Sequence, residues 1–326
     1  MARDLEQMLA GLRDHLADGA GLTGIVPLST GHSNETYLLE GIDRILRMPP
    51  SEEGLLPPYD MALQHAVLAA MGGTADGPPV PAVYELCTDD SVIGDAFFVM
   101  ECLQGEAFEY VTPDWLSAAP AALPDAMCRQ WIGAVTAVHR LPVACMPAAA
   151  RSPVDEARHW LAVAEQAEAP AALLAVLREL VASPPRSSGP VTPVHGDPKH
   201  GNCLWRQDGQ LLALLDWEMA GVGEPMTDLG YIAHFYDQGE AKLATAGYEL
   251  PGWWSKAQVV AAWEAATGRT AVDLMRYEAL AVAKIAAIIA LGYHLFASGR
   301  TRDPRFEAWA AVIPGYVDMA TRFATA

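Results

Sequence analysis

The sequence is poor in cations. Its 326 residues hold 21 Lys and Arg against 40 Asp and Glu, a formal net charge of −19, and only four of the cations are lysines. No run of five basic residues occurs, so a phosphate backbone finds no docking stripe and nucleic acid is not an expected partner. Cysteine is scarce too. Cys87, Cys102, Cys128, Cys145 and Cys203 are odd in number and contain no C-x-x-C pair. This argues against a disulfide framework or thiolate zinc site and for buried thiols in a reducing compartment. The first 19 residues lack the basic end and apolar run of a secretory leader. The most apolar stretch, 279–295, is interrupted by Lys284 and His294, which favours a buried helix over a bilayer span. The expectation is a cytoplasmic protein with no membrane partner. No internal repeat or low-complexity tract is visible. What is present, 52% hydrophobic and 19% charged residues, is globular and long enough for one large two-lobed unit or two compact domains.

Apolar positions at helical spacing over 3–18 predict an opening helix, stopped by Gly19, Gly21 and Gly24. Short β-leaning runs follow at 25–28, 36–39 and 44–47, then a helix over 59–71 and strands at 82–87 and 96–102. From about residue 113 the periodicity is helical: 125–140, 153–167, 170–182, 224–237, 256–267, 271–298 and 305–323. A strand-like island at 203–205 and 211–215 interrupts it, introduced by the Pro/Ser/Gly-rich loop 183–193. The expected class is α+β, a small β-sheet lobe over residues 1–103 joined to a larger, mainly helical lobe over 104–326.

The strongest chemical signal is His195-Gly196-Asp197-Pro198-Lys199-His200-Gly201-Asn202, with Asp216-Trp217-Glu218 beginning fourteen residues later. Phosphoryl transfer needs a carboxylate to orient and deprotonate an attacking hydroxyl, and oxygen ligands for the magnesium that bridges the phosphates. Asp197 suits the first task. Asn202 and Asp216 suit the second, because Mg²⁺ prefers hard oxygen donors. Lys199, two residues after the base, brings positive charge to offset the moving phosphoryl group.

These residues resemble the H-G-D-x-x-x-x-N and D-x-E signatures of the aminoglycoside phosphotransferase and choline-kinase-like family, in particular the branch that supplies the kinase domain fused to some acyl-CoA dehydrogenases. Segments 31–39, 45–50, 216–230 and 284–292 extend the resemblance over nearly the whole chain in the expected order. It implies a bilobal protein-kinase-like fold, ATP as donor with GTP left open, Mg²⁺, and a small hydroxylated acceptor. Within it, the turn holding Ser29, Gly31, His32, Ser33 and Asn34 would fold over the nucleotide phosphates. Arg47 stands where such folds keep a lysine that grips them. The backbone near Glu101 and Leu103 would meet the adenine edge. Asp228 would brace the catalytic loop, and His195 is read as structural.

One position departs from the pattern. The helix over 59–71 should offer a glutamate to the strand-three cation, and Gln64 stands there, with Asp60 one turn earlier as the alternative. His139 and Trp131 read as core. Glu218 and Lys284 are candidate substrate contacts, Lys284 equally a structural salt bridge. The leading expectation is an O-phosphotransferase on a small metabolite, such as a hydroxyacyl compound, acting as monomer or homodimer. Antibiotic modification comes second, since an acidic protein suits a cationic acceptor, and a non-catalytic nucleotide-binding domain third.

Overall fold

The computed structural model describes residues 3–28, 33–238 and 246–325. The chain opens on α1 (Leu5–His15), whose first-turn N–H groups of Glu6 and Gln7 are capped by the Asp4 carboxylate. Five antiparallel strands follow: β1 (Gly24–Leu28), β2 (Glu35–Glu40), β3 (Arg44–Met48), β4 (Val83–Cys87) and β5 (Phe97–Glu101), in the spatial order β1-β2-β3-β5-β4. Between β3 and β4 lies α2 (Met61–Gly72). β5, flanked by β3 and β4, is buried on both faces, which explains its unbroken apolar run. Phe97 and Val99 join Met8 and Leu12 of α1, while Phe98 packs with Val67, Leu68 and Met71 of α2.

Past β5 the chain is mainly helical. α3 (Asp114–Ser117) is one turn, and α4 (Ala122–Arg140) carries a buried stripe including Trp131, Val135 and Val138. Then come β6 (Ala150–Arg151), α5 (Pro153–Gln166) and α6 (Ala171–Ala182). Next are β7 (Thr192–Val194), β8 (Cys203–Trp205), β9 (Leu211–Leu214) and β10 (Gly221–Gly223). The chain closes with α7 (Met226–Ala233), α8 (Lys256–Thr267), α9 (Leu274–Ala297), α10 (Pro304–Ala308) and α11 (Ile313–Thr325). A small antiparallel sheet on a largely helical body is the bilobal kinase-like arrangement.

α9 is long and apolar enough to cross a bilayer by length and composition, yet 72% of its most apolar window is buried inside the protein. It shares a core with α5, α6 and α11. Three local expectations need correction. The single helix over 305–323 is split into α10 and α11, because Pro314 has no N–H to return to residue 310. The loop 183–193 ends in a strand, β7, which contains Pro193 and pairs with glycine-rich β10; proline and glycine are the residues that mask a strand in sequence. The helix over 224–237 begins only at Met226, after Pro225.

Candidate active site

The catalytic loop spans the gap from β7 to β8. Asp197 is buried, with Oδ2 accepting from the Asn202 amide at 2.9 Å while Oδ1 makes no hydrogen bond among the described residues. Burial opposes its ionisation. The Lys199 charge, the Tyr231 phenol and the Asn202 amide outweigh that and hold the carboxyl below the usual range.

Four side chains fix the loop's shape. Asp228 accepts from the His195 N–H at 2.8 Å and the Gly196 N–H at 2.9 Å. His195, fully buried, accepts from the Asp197 N–H through Nδ1 and donates through Nε2 to the Leu215 carbonyl at 2.9 Å. Burial lowers its pKa, so it sits as a neutral strut. The Trp131 indole donates to the Pro198 carbonyl at 2.8 Å, and Lys284 to the Gly196 carbonyl at 2.5 Å. Gly196 is required here. Its φ is +86°, and a Cβ would lie 2.3 Å from the Met219 carbonyl oxygen.

The β8–β9 hairpin sets Asn202 against the Asp216 loop, with the Leu215 N–H donating to the Asn202 carbonyl at 2.7 Å. Asp216 adopts a left-handed backbone, φ 64°, a conformation that non-glycine residues hold where the surroundings impose it. Asn202 spends its amide nitrogen on Asp197, leaving its oxygen as a ligand atom. Glu218 follows two residues after Asp216. Burial and the Asp216 charge push its carboxyl up to about 8. Crowded carboxylates beside an amide oxygen are the kind of donor set that suits Mg²⁺ completed by phosphates and water.

From the first lobe, Arg47 reaches down. Its Nη2 donates to Asp216 at 3.0 Å and to Glu218 at 3.4 Å, and its Nε to the Gln64 oxygen at 3.1 Å. Asp60 is occupied elsewhere, capping α2 through the Leu63 N–H. Ser33 and Asn34 each donate to a Glu218 oxygen at 2.8 Å. The donors expected to hold phosphates therefore hold an internal carboxylate, and Glu218 faces the other lobe. Ser29, Gly31 and His32 lie outside the described residues. The Glu101 N–H is taken by the Ala82 carbonyl, and its carboxylate accepts from the Ala82 N–H.

Gln64→Glu tests this corner. A carboxylate there makes the Arg47 contact charge-assisted, and the expected gain is modest, about 1 kcal/mol, because the pair stays partly solvated. Nucleotide titration should show an unchanged or slightly lowered dissociation constant; a severalfold weakening would mean Arg47 is drawn off the nucleotide.

Several site residues escaped the sequence reading. Glu109 pairs with Lys199 at 2.9 Å and leaves that ammonium 3.9 Å from Asp197. His139, read as core, contacts Asp228 at 2.9 Å and accepts from the Trp263 indole at 3.1 Å. An indole only donates, so Nδ1 of His139 is the acceptor and Nε2 carries the proton toward Asp228. The signal for His139 was a polar residue on a helix face otherwise buried; Glu109 gave none.

Comparison with known proteins agrees with this fold. The model of the phosphotransferase enzyme family matches residues 24–267. Among curated proteins, mouse acyl-CoA dehydrogenase family member 10 is 27% identical over 245 residues, 70% of this chain and 21% of that protein. Human acyl-CoA dehydrogenase family member 11 is 26% identical over 249 residues, 72% and 31% respectively. The chain thus matches under a third of these relatives' length. Among solved structures, a candidate aminoglycoside phosphotransferase from Ralstonia eutropha superposes with TM-score 0.77 at 22% identity, covering 99% of each chain. The macrolide 2′-phosphotransferase of Brachybacterium faecium gives 0.57 at 19%, covering 95% of this chain and 97% of that one. With the family model spanning most of its length, the chain belongs to the phosphotransferase enzyme family, enzymes that place phosphate on an alcohol group.

Proposed function

We propose that the chain is an ATP- and Mg²⁺-dependent O-phosphotransferase acting on the hydroxyl of a small metabolite, divided into a nucleotide lobe over 1–103 and a catalytic lobe over 104–326. The observation that carries this reading is Asp197, with one oxygen locked by Asn202 and the other buried near the Tyr231 phenol with no hydrogen bond formed to it among the described residues. A buried acceptor left unmatched is costly unless a ligand completes it, and an attacking hydroxyl is the donor that fits.

In this mechanism Asp197 orients the acceptor O–H and takes its proton as the phosphoryl group moves. Asn202 Oδ1 and Asp216 would hold Mg²⁺, which when bound neutralises charge on the phosphates. Arg47, Ser33 and Asn34 exchange Glu218 for phosphate oxygens. Lys199, anchored by Glu109, keeps a positive charge beside the base. Leu103, past the last sheet strand, offers the backbone donor for the base edge that Glu101 no longer has. The relatives' fusion to acyl-CoA dehydrogenases favours a hydroxyacyl-type acceptor; the fold shared with macrolide phosphotransferases supports antibiotic modification as second reading.

The test is ADP release with Mg·ATP across hydroxy acids and their thioesters, aminoglycosides, macrolides and choline-like alcohols. Magnesium-dependent turnover with a hydroxyl acceptor is expected. Nucleotide binding without turnover on any of them would return the chain to a non-catalytic role.

A further inference from the structure

Between the lobes lies a cavity of about 580 Å³ whose wall includes Gly196, Glu218, Tyr231 and Lys284, a size suited to a small organic ligand. Lys284 projects into this region from the middle of α9 and is only 6% exposed. Its ammonium gives one hydrogen to the Gly196 carbonyl and sits 5.3 Å from the Trp160 ring and 5.5 Å from the Tyr231 ring. No carboxylate among the described residues lies within ion-pair distance of it. In a chain with almost twice as many acids as bases, a buried lysine without an acid is the exception. An ammonium has three hydrogens to place, and burying it without an opposite charge is costly.

Every carboxylate in the same wall is already matched. Glu156 accepts from the Trp160 indole and pairs with Arg151 at 3.6 Å. Glu224 is held by the hydroxyls of Ser187 and Ser188, Glu53 by Arg300, Asp60 by the first turn of α2, and Glu218 by Ser33, Asn34 and Arg47. His159 lines the cavity too, and burial followed by the Arg151 charge pushes its pKa down, so it adds a neutral N–H donor. Lys284 and His159 are therefore donors of the wall that no carboxylate takes up. The rest of the wall mixes apolar side chains, among them Leu56, Leu63, Val163, Leu291 and Leu295, with Ser152, Gln166, Thr227 and Arg151, the last spent on Glu156.

We infer that Lys284 is the anion subsite of the acceptor, so the molecule phosphorylated is a small aliphatic hydroxy acid whose carboxylate pairs with Lys284 while its hydroxyl meets Asp197. This deepens the phosphotransferase reading and rests on it. The two anchor points are close, since Lys284 bonds the carbonyl of the residue before Asp197 and Tyr231 adjoins both groups. A single ammonium matches the one negative charge of a carboxylate; a phosphate monoester would call for a cluster of cations or a guanidinium fork. A polycationic aminoglycoside would bring like charge against Lys284.

Calorimetric binding of β- and ε-hydroxyhexanoate, their methyl esters and the corresponding amino alcohols decides it, in the presence of magnesium and a non-hydrolysable ATP analogue. In the wild type, at least one acid should bind about tenfold or more tighter than its ester, the scale of one charge-assisted hydrogen bond. Lys284→Met should remove that preference, the acid-to-ester ratio within the variant cancelling any loss that the missing Gly196 brace imposes on both ligands, while Lys284→Arg should retain part of it. Equal binding of acid and ester, preference for the amino alcohol, or no binding of either acid overturns the inference. The wild-type comparison needs no variant, so it stands even if Lys284→Met fails to fold. ADP release separates the two readings. Turnover without acid preference sinks the subsite and keeps the transferase; a Lys284-dependent acid preference without ATP consumption does the reverse.

Discussion

Asp197→Asn should lower turnover by about two to four orders of magnitude while leaving nucleotide affinity within a factor of about two. The amide keeps the shape of the carboxylate, and its oxygen still accepts from Asn202, whose amide nitrogen lies 2.9 Å from Oδ2. What is lost is the capacity to take a proton at the position of Oδ1, the atom that has no hydrogen-bond partner among the described residues. The amide nitrogen that replaces it is a donor, and it meets the acceptor hydroxyl with the wrong polarity. Steady-state ADP release together with nucleotide titration reads both quantities. Turnover near wild type would remove Asp197 from the mechanism; a parallel loss of nucleotide binding would assign it a structural part in the loop.

Asp216→Asn should weaken Mg·ATP by about a hundredfold or more and leave metal-free ATP unchanged or slightly tighter. Several kcal/mol is the scale on which a metal's charge acts at phosphate oxygens, and an amide is a poor substitute for an anionic ligand. Removing the negative charge also frees the Arg47 Nη2 now 3.0 Å from Asp216. Asparagine is the chosen replacement because it tolerates the φ of 64° at this position, whereas alanine would add backbone strain to the loss of the ligand. Calorimetry with and without magnesium gives the comparison. Equal affinity for Mg·ATP in the variant and wild type would take Asp216 out of the metal site.

The sequence made some of this site legible because contact there follows chain order. Asp197 and Asn202 share one loop, and the hairpin from 203 to 214 is short enough that its ends must meet, which brings Asp216 beside them. The five sheet strands were legible from alternating and apolar runs between glycine turns. Contacts between distant segments were not. Nothing local distinguishes Glu109 from any acid in a loop, and its pairing with Lys199 depends on how residues 106 and 205 bridge. His139 has the pattern of an ordinary helical core residue until α7 and α8 are docked on either side. In the sequence Glu218 stood as a candidate substrate contact. Its hold on Ser33 and Asn34 spans 185 and 184 residues, and only the closed arrangement of the two lobes brings these residues together. Where proline or glycine occupied a strand, as in β7 and β10, propensity pointed the wrong way because pairing overruled it.

The brace around the catalytic loop also bears on when activity arises as the protein is made. Trp131 holds Pro198 across 67 residues, Trp263 holds His139 across 124, and Lys284 holds Gly196 across 88. Such long closures form late, since chain entropy is lost before they return anything. A nascent chain that has passed residue 216 already contains the whole motif, but the Gly196 carbonyl gains Lys284, and His139 gains Trp263, only once α8 and α9 have emerged and packed. The motif is thus complete in sequence well before the loop around it has its full brace, and a chain stopped short of residue 284 leaves the Gly196 carbonyl without its lysine.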